Sequence, residues 1–169
     1  MKYIISTLLT LALAVGIASP VQAKRGSDGQ LNLLYWQAPS TMNPNLSGGT
    51  KELEASSVVL EPLGRYDENG NLLAWLAEEI PTVANGGISK DLTTITWKIK
   101  KGIKWSDGSA LTADDAVFTY EYCSHPDTGC TQSNYWNDIK SVTAVNSLTV
   151  KVEFTVPKPF PYAPFVGYN

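Results

Sequence analysis

The sequence predicts a mixed α/β fold from two alternating strands and a capped helix that lies between them. Residues 94–100 and 148–154 each alternate apolar and polar side chains, which is the period of a half-buried strand. Between these segments, Thr112 and Asp115 have the spacing of a capping box, and apolar residues recur at helical intervals after it. A helix with one apolar face can bury that face against such strands.

The first 23 residues predict a secretory signal that is cleaved before Lys24. Lys2 supplies the charged start, an apolar run covers about residues 4–18, and small residues end the segment at Ala23. The run is short and contains polar residues, so a membrane-spanning helix is the weaker alternative. The residue immediately after the cleavage site is Lys24 and not a cysteine, which argues against a lipid anchor. We therefore expect an exported domain over residues 24–169.

The charge balance argues against two classes of partner. The chain has 13 basic and 16 acidic side chains, which gives a formal net charge of −3 at pH 7. A weakly acidic chain is not attracted to polyanions, so neither nucleic acid nor an anionic membrane is expected as a partner.

The two cysteines predict a disulfide. Cys123 and Cys130 have six residues between them, and export would carry them into an oxidising compartment. A zinc site is the less favoured alternative, because it would need further ligands and His125 is the single histidine. Redox catalysis is less favoured still, since the spacing of a C-x-x-C motif is absent.

The amino-terminal elements of the domain are predicted from its apolar runs and its breakers. Residues 31–36 predict a strand, and residues 38–49, rich in proline, asparagine and glycine, predict an ordered loop. Thr50 is expected to cap a helix that ends at Pro62. The apolar face of that helix would be formed by Leu53, Ser57 and Leu60.

The middle of the chain is predicted from turns and periodicity. Asn69-Gly70 indicates a turn, and residues 72–80 predict one or two helical turns that stop at Pro81. After the strand at 94–100, Ile103 and Trp105 are expected to resume its apolar face. A helix is then predicted from the capping box to about Tyr122.

The carboxyl-terminal part is predicted as a hairpin followed by an irregular segment. Residues 142–154 predict a hairpin that turns at Asn146-Ser147. Residues 157–164 contain four prolines, which cannot continue a sheet or a helix.

Three segments, in this order and spacing, carry a resemblance to a known family, and the third consists of two consecutive pieces. Pro-Ser-Thr-Met-Asn-Pro stands at 39–44, and Leu-Ala-Glu-Glu at 76–79. The most specific pieces are Thr-Trp-Lys-Ile-Lys-Lys-Gly-Ile-Lys-Trp-Ser-Asp-Gly at 96–108 and Leu-Thr-Ala-Asp-Asp-Ala-Val-Phe at 111–118. Over residues 31–169 the chain resembles the extracellular solute-binding proteins of family 5, which serve oligopeptide, dipeptide and nickel importers of the ATP-binding-cassette (ABC) class.

The resemblance implies a type II periplasmic-binding-protein fold, mixed α/β and two-lobed in its full form. This chain would supply part of the first lobe, including its extra subdomain, while the second lobe is absent. Such proteins close on a ligand at a hinge and deliver it to permease subunits in the membrane. The implied function is therefore the periplasmic substrate-binding component of an ABC importer, which captures a peptide or similar small solute and is monomeric when complete.

The same resemblance implies that the loop after the opening strand contacts the ligand. Its glycines let backbone amides approach a ligand, and a helix start offers unpaired donors. The alternative is that these are ordinary loop and cap residues. The residues concerned are Ser47, Gly48, Gly49 and Thr50.

A second implied contact lies just after the cysteine pair. Tyr135 and Trp136 match a region that faces the cleft in peptide-binding relatives, and an aromatic pair can stack on a ligand while excluding water. Core packing is the alternative for both. The tryptophans and aspartates of the 96–115 region, by contrast, are explained by alternation and capping, so we assign them no ligand contact.

Two other functions remain open. An exported enzyme has little support, because the sequence offers one histidine, no Gly-x-Ser-x-Gly elbow and no recognisable catalytic carboxylate pair. No catalytic residue, metal site or cofactor is predicted. A truncated, non-transporting remnant or an interaction protein is the other alternative, and the sequence does not name the ligand.

Overall fold

The computed structural model describes residues 29–30 and 32–167, so the predicted signal sequence and Leu31 lie outside the described residues. The chain divides into two compact units, Met1–Trp36 and Gln37–Asn169. In the described part of the first unit, the strand predicted at 31–36 is wrong, because residues 32–36 are irregular and exposed. A strand forms only where a neighbouring strand accepts its hydrogen bonds, and no strand within residues 32–36 is paired.

The described part of the second unit contains two α-helices and six strands. The helices are α1 (Thr50–Ser56) and α2 (Ala113–Ser124). The strands are β1 (Gly64–Tyr66), β2 (Leu72–Ala74), β3 (Thr94–Lys98), β4 (Ile139–Asn146), β5 (Thr149–Phe154) and β6 (Val166–Gly167).

An antiparallel sheet in the order β3-β5-β4 forms the centre of the unit. Its register pairs Ile95 with Val152 and Trp97 with Val150, and all four side chains are almost fully buried. This burial confirms the alternation predicted for residues 94–100 and 148–154. The predicted hairpin is also confirmed, and its first strand begins earlier than expected, at Ile139.

Helix α2 covers this sheet, as predicted. The Oδ2 atom of Asp115 accepts a hydrogen bond from the Thr112 backbone amide at 2.7 Å, which fixes the predicted capping box. Ala113 and Ala116 are buried, and the helix packs against β4 and β5. The helix ends at Ser124, two residues beyond the predicted end.

A smaller sheet in the order β2-β1-β6 corrects the middle of the prediction. The helical turns predicted over 72–80 are wrong, because residues 72–74 return as β2 and pair antiparallel with β1 after the Asn69-Gly70 turn. Strand β6 pairs in parallel with β1 and was not predicted. Trp105 was predicted to lie on a buried strand face, but it is 40% exposed and lies outside the strands.

Helix α1 is shorter than predicted and begins one residue earlier at its cap. Gly49, not Thr50, occupies the N-cap position, and the helix ends at Ser56 instead of continuing to Pro62. The Ser57 hydroxyl donates a hydrogen bond to the Glu54 carbonyl, which the Val58 amide would have used in a continuing helix; that amide bonds to the Ala55 carbonyl instead. The β-branched Val58 and Val59 then follow in a turn.

Within residues 29–30 and 32–167, no helix combines the length and the apolar composition needed to cross a membrane.

Candidate functional site

The loop that precedes α1 is the first of the two predicted contact segments. A short 3₁₀ turn at Pro44–Leu46 opens it, held by the Oδ1 atom of Asn43, which accepts a hydrogen bond from the Asn45 amide at 2.9 Å. The Ser47 hydroxyl then accepts a hydrogen bond from the Gly49 amide at 3.2 Å. These bonds give the loop a defined backbone conformation.

Gly48 is the open point of this loop. It is exposed, and a Cβ atom added there would meet nothing within 4 Å. A ligand could therefore reach the Gly48 backbone closely. Helix α1 has only seven residues, so its dipole adds little to the attraction of an anionic ligand.

A buried carboxylate lies directly beneath the loop. Glu52 is 1% exposed, and its Oε1 atom accepts hydrogen bonds from the amide and the hydroxyl of Ser40 at 2.9 and 2.6 Å. It also forms an ion pair with Lys51. The hydrogen bond from Lys51, followed by those from Ser40, lowers the pKa of Glu52 from an ordinary value of 4.5 to about 2. Glu52 is therefore ionised at neutral pH and joins the start of the loop to α1.

The second predicted contact segment is a 3₁₀ turn at Ser133–Trp136, and its two aromatic residues have different environments. Trp136 is 5% exposed and packs against Tyr120 and Phe165, with ring centroids 5.9 and 5.4 Å apart. Tyr135 is only half-buried against the core. Tyr135 thus keeps exposed surface, whereas Trp136 is packed in the core.

Hydrogen bonds that sequence reasoning did not find join the stretches of chain that precede the two contact segments. The backbone carbonyl of Asn45 accepts a hydrogen bond from the Thr131 amide at 2.8 Å and a second from the Thr131 hydroxyl at 3.3 Å. The Asn43 side chain donates to the Tyr122 hydroxyl at 3.5 Å. The loop before α1 and the segment after α2 therefore lie side by side.

The predicted cysteine pair lies between the two anchor points of that contact. The structure joins Cys123 and Cys130 through their sulfurs, with their Cα atoms 5.1 Å apart, and both side chains are buried. Gly129 has a φ of +68°, a conformation that suits glycine in the tight turn before Cys130. The Thr128 hydroxyl donates to the Tyr122 carbonyl at 2.7 Å and closes the end of α2.

A separate apolar groove of about 480 Å³ lies between the two helices and strand β6. Leu53, Phe118 and Val166 are among its lining residues, and none of the six predicted ligand contacts lines it. An apolar groove of this size can bury an apolar side chain or a short segment. One residue of the sequence could have indicated this groove. Phe118 is a large apolar residue that lies off the face of α2 formed by Ala113 and Ala116, and it is 64% exposed.

Among the described residues, no group of three or more histidine, cysteine, aspartate or glutamate side chains is arranged to hold a metal ion.

The comparisons with known proteins identify the family. The profile described as "Bacterial extracellular solute-binding proteins, family 5 Middle" matches residues 71–168, which is more than half of the chain. The chain belongs to this family. The resemblance seen in the motifs at 76–79, 96–108 and 111–118 is therefore confirmed.

Family 5 relatives are similar along most of this chain. It is 31% identical over 167 residues to the "Probable ABC transporter-binding protein" of Deinococcus radiodurans, covering 91% of this chain and 27% of that protein. It is 28% identical over 174 residues to the oligopeptide-binding protein OppA of Bacillus subtilis, covering 90% of this chain and 31% of that one. The chain thus spans less than a third of the length of these relatives.

A family 5 protein of known structure has the same fold over this region. The oligopeptide-binding protein AppA of Bacillus subtilis, solved in complex with a nonapeptide, superposes with a TM-score of 0.63 at 28% identity. The match covers 69% of this chain and 22% of AppA. The predicted fold class is confirmed: the chain has the mixed α/β architecture of part of the first lobe of a type II periplasmic binding protein.

Proposed function

We propose that this protein is a substrate-binding component of an ABC importer and that it captures a peptide or a similar small solute outside the cytoplasmic membrane. Membership of family 5 carries this proposal. Relatives named as oligopeptide-binding proteins, and AppA solved with a bound nonapeptide, support a peptide as the ligand class. Permease subunits in the membrane would be the partners that receive the ligand.

The proposed contact surface is the loop at Ser47–Thr50 together with Tyr135. Gly48 leaves the loop backbone open to a peptide, whose amides and carbonyls can pair with it. Tyr135 would shield the ligand from water and Trp136 would hold the turn beneath it. The other lobe of the complete fold would close over this surface.

Passive binding fits this surface better than catalysis does. The loop and the 3₁₀ turn contribute glycines, hydroxyls and aromatic rings, and these offer no pair of a nucleophile and a base. We therefore assign the protein no reaction. Export by the predicted signal sequence, with cleavage before Lys24, would bring the domain to the periplasm.

A thermal-shift experiment on the full protein tests this function. The probe is an equimolar mixture of trialanine, tetraalanine and pentaalanine, and binding to the folded state must raise the melting temperature. Gly48→Trp should abolish the shift, since its Cβ atom would meet nothing within 4 Å and the large side chain would cover the loop surface. Ala84→Trp, which also replaces a small residue in an exposed turn, is the matched control and should keep the shift. An equal shift in both variants would place binding elsewhere.

A further inference from the structure

The cysteine pair lies where it can control the loop that carries the proposed contacts. Cys123 is 2% exposed near the end of α2, and Cys130 is 9% exposed at the start of the segment that leads to Tyr135. Tyr122 immediately precedes the first cysteine, and Thr131 immediately follows the second. Joining the cysteines therefore fixes the distance between these two neighbours.

Both neighbours hold the loop before α1. Thr131 donates its amide and its hydroxyl to the Asn45 carbonyl, at 2.8 and 3.3 Å, and the Tyr122 hydroxyl accepts a hydrogen bond from Asn43 at 3.5 Å. These hydrogen bonds join residues 43–45 to α2 and to the segment that follows it. Asn45 stands only two residues before Ser47, so a shift of its carbonyl is transmitted to the contact residues.

We propose, resting on the function proposed above, that the Cys123–Cys130 bond is a positioning device for the ligand surface. It holds Thr131 against Asn45 and thereby presents the loop at 47–50 beside Tyr135. Both cysteines are buried at the core, but β3 and β5 pair through their own backbone bonds and bury apolar side chains of their own. Opening the pair should loosen the surface while the sheet stays folded.

Opening the pair requires a reductant. A dithiol supplies two electrons and two protons, the Sγ–Sγ bond breaks to give two thiols, and the dithiol closes to its own disulfide. Because both cysteines are buried, a cleaner test replaces them with alanine, which also fits a buried apolar site. Intact mass of the unmodified protein should first show it to be two hydrogens lighter than the dithiol form.

Amide hydrogen exchange on the full protein tests the positioning role directly, because it measures how firmly the Thr131 amide is held and needs no ligand. In C123A/C130A, the Thr131 amide should exchange at least about tenfold faster, because its bond to Asn45 is no longer held. Amides of residues 45–49 should also exchange faster, while those of Val150 and Val152 should stay protected. Unchanged exchange at Thr131 would overturn the proposal, and so would loss of protection throughout β5, which would make the bond a general staple.

A milder variant tests the contact between Thr131 and Asn45 without changing either cysteine. Thr131→Val keeps the side-chain shape and the amide donor but removes the hydroxyl bond to Asn45. Loss of one such bond should weaken binding of the alanine peptide mixture by about threefold to tenfold. Thr143→Val, at an exposed position of β4, is the matched control and should bind as the unmodified protein does.

The two proposals fail in different ways. If the unmodified protein binds the peptides and Thr131→Val binds them equally well, the positioning role is wrong and the proposed function stands. If the unmodified protein binds none of the peptides, the proposed function fails, and hydrogen exchange at Thr131 still decides whether the cysteine bond holds the loop.

Discussion

A Cβ atom at Gly49 would lie 2.5 Å from the Oε2 atom of buried Glu52. The carboxylate fills the space beside the N-cap of α1, where it binds Ser40 and Lys51. The absence of a side chain at Gly49 is therefore what lets the loop close over Glu52. The loop that carries the proposed contacts and the charge beneath it form one fitted unit.

Gly49→Ala should destabilise the protein by about 1–2 kcal/mol, because the new methyl group displaces Glu52 from its hydrogen bonds and alanine is a poor N-cap. Gly48→Ala is the control and should change stability by less than about 0.5 kcal/mol, since its Cβ would meet nothing. Urea unfolding followed by tryptophan fluorescence measures both. Equal effects would show that the fit against Glu52 is not important.

Glu52 should make stability depend on acid pH. Its pKa is lowered to about 2 in the folded protein, against an ordinary value of 4.5, so the ionised form stabilises the fold above pH 4.5. That contribution is lost as the pH falls from 4.5 towards 2. Other carboxylates with a lowered pKa, such as Asp67 and Asp107, add to the same acid loss.

The contribution of Glu52 can be separated from the others by substitution. Glu52→Gln should lower the melting temperature at pH 7 and reduce its decrease between pH 4.5 and 2. Glu54→Gln removes an exposed carboxylate from the same helix and should leave the acid profile unchanged. If the two variants gave the same profile as the unmodified protein, Glu52 would not be the ionised group that holds the loop.

The capping box of α2 should be measurable in a matched pair of variants. Asp115→Ala should cost about 1 kcal/mol, because the Thr112 amide loses its acceptor and the Trp105 indole loses a bond of 3.3 Å. Asp114→Ala removes the same charge from the same helical turn, where the side chain is exposed, and should cost less. Chemical denaturation that ranks them in the opposite order would contradict the cap.

The core sheet gives a further stability prediction. Val152 is 1% exposed at the centre of β5, so Val152→Ala should destabilise by about 2 kcal/mol through lost apolar burial and a small cavity. Val145→Ala, at a β4 position that is 59% exposed, should cost less than about 0.5 kcal/mol. Equilibrium unfolding in urea compares them, and a similar cost for both would mean that β5 is not buried as described.

The elements that were predicted from sequence are those set by local rules. Alternation buried Ile95 and Trp97 on one face of β3, and the capping box began α2 where Thr112 and Asp115 indicated. Each signal lies within a few residues of the element that it specifies. Strand period and side-chain capping can therefore be read without knowledge of the rest of the chain.

The elements that were missed depend on distant partners. The Glu78 amide donates to the Lys98 carbonyl at 2.8 Å, and the Lys100 amide donates to the Leu76 carbonyl at 2.9 Å. These bonds hold residues 76–78 against residues 98–100, with an isolated bridge between Ala77 and Ile99, although the composition of residues 76–78 favours a helix. Tertiary pairing overrides local propensity here, and no local pattern encodes it.

The candidate site could be predicted only in part. The resemblance supplied the loop at 47–50 and the aromatic pair, and core packing, one alternative considered for that pair, describes Trp136. The contact between Asn45 and Thr131 joins residues 86 positions apart, so neither residue signals the other in sequence. That contact holds the loop before α1 against the stretch that leads to Tyr135.

Native mass spectrometry of the protein purified from the host that makes it tests the solute-binding claim most directly. The account predicts a folded species heavier than the chain by the mass of one peptide or small solute, which is released on denaturation and rebinds when returned. The solute-binding claim would be contradicted if the folded protein had the mass of its chain alone. That result would have to hold both before and after incubation with the alanine peptides and with a host extract.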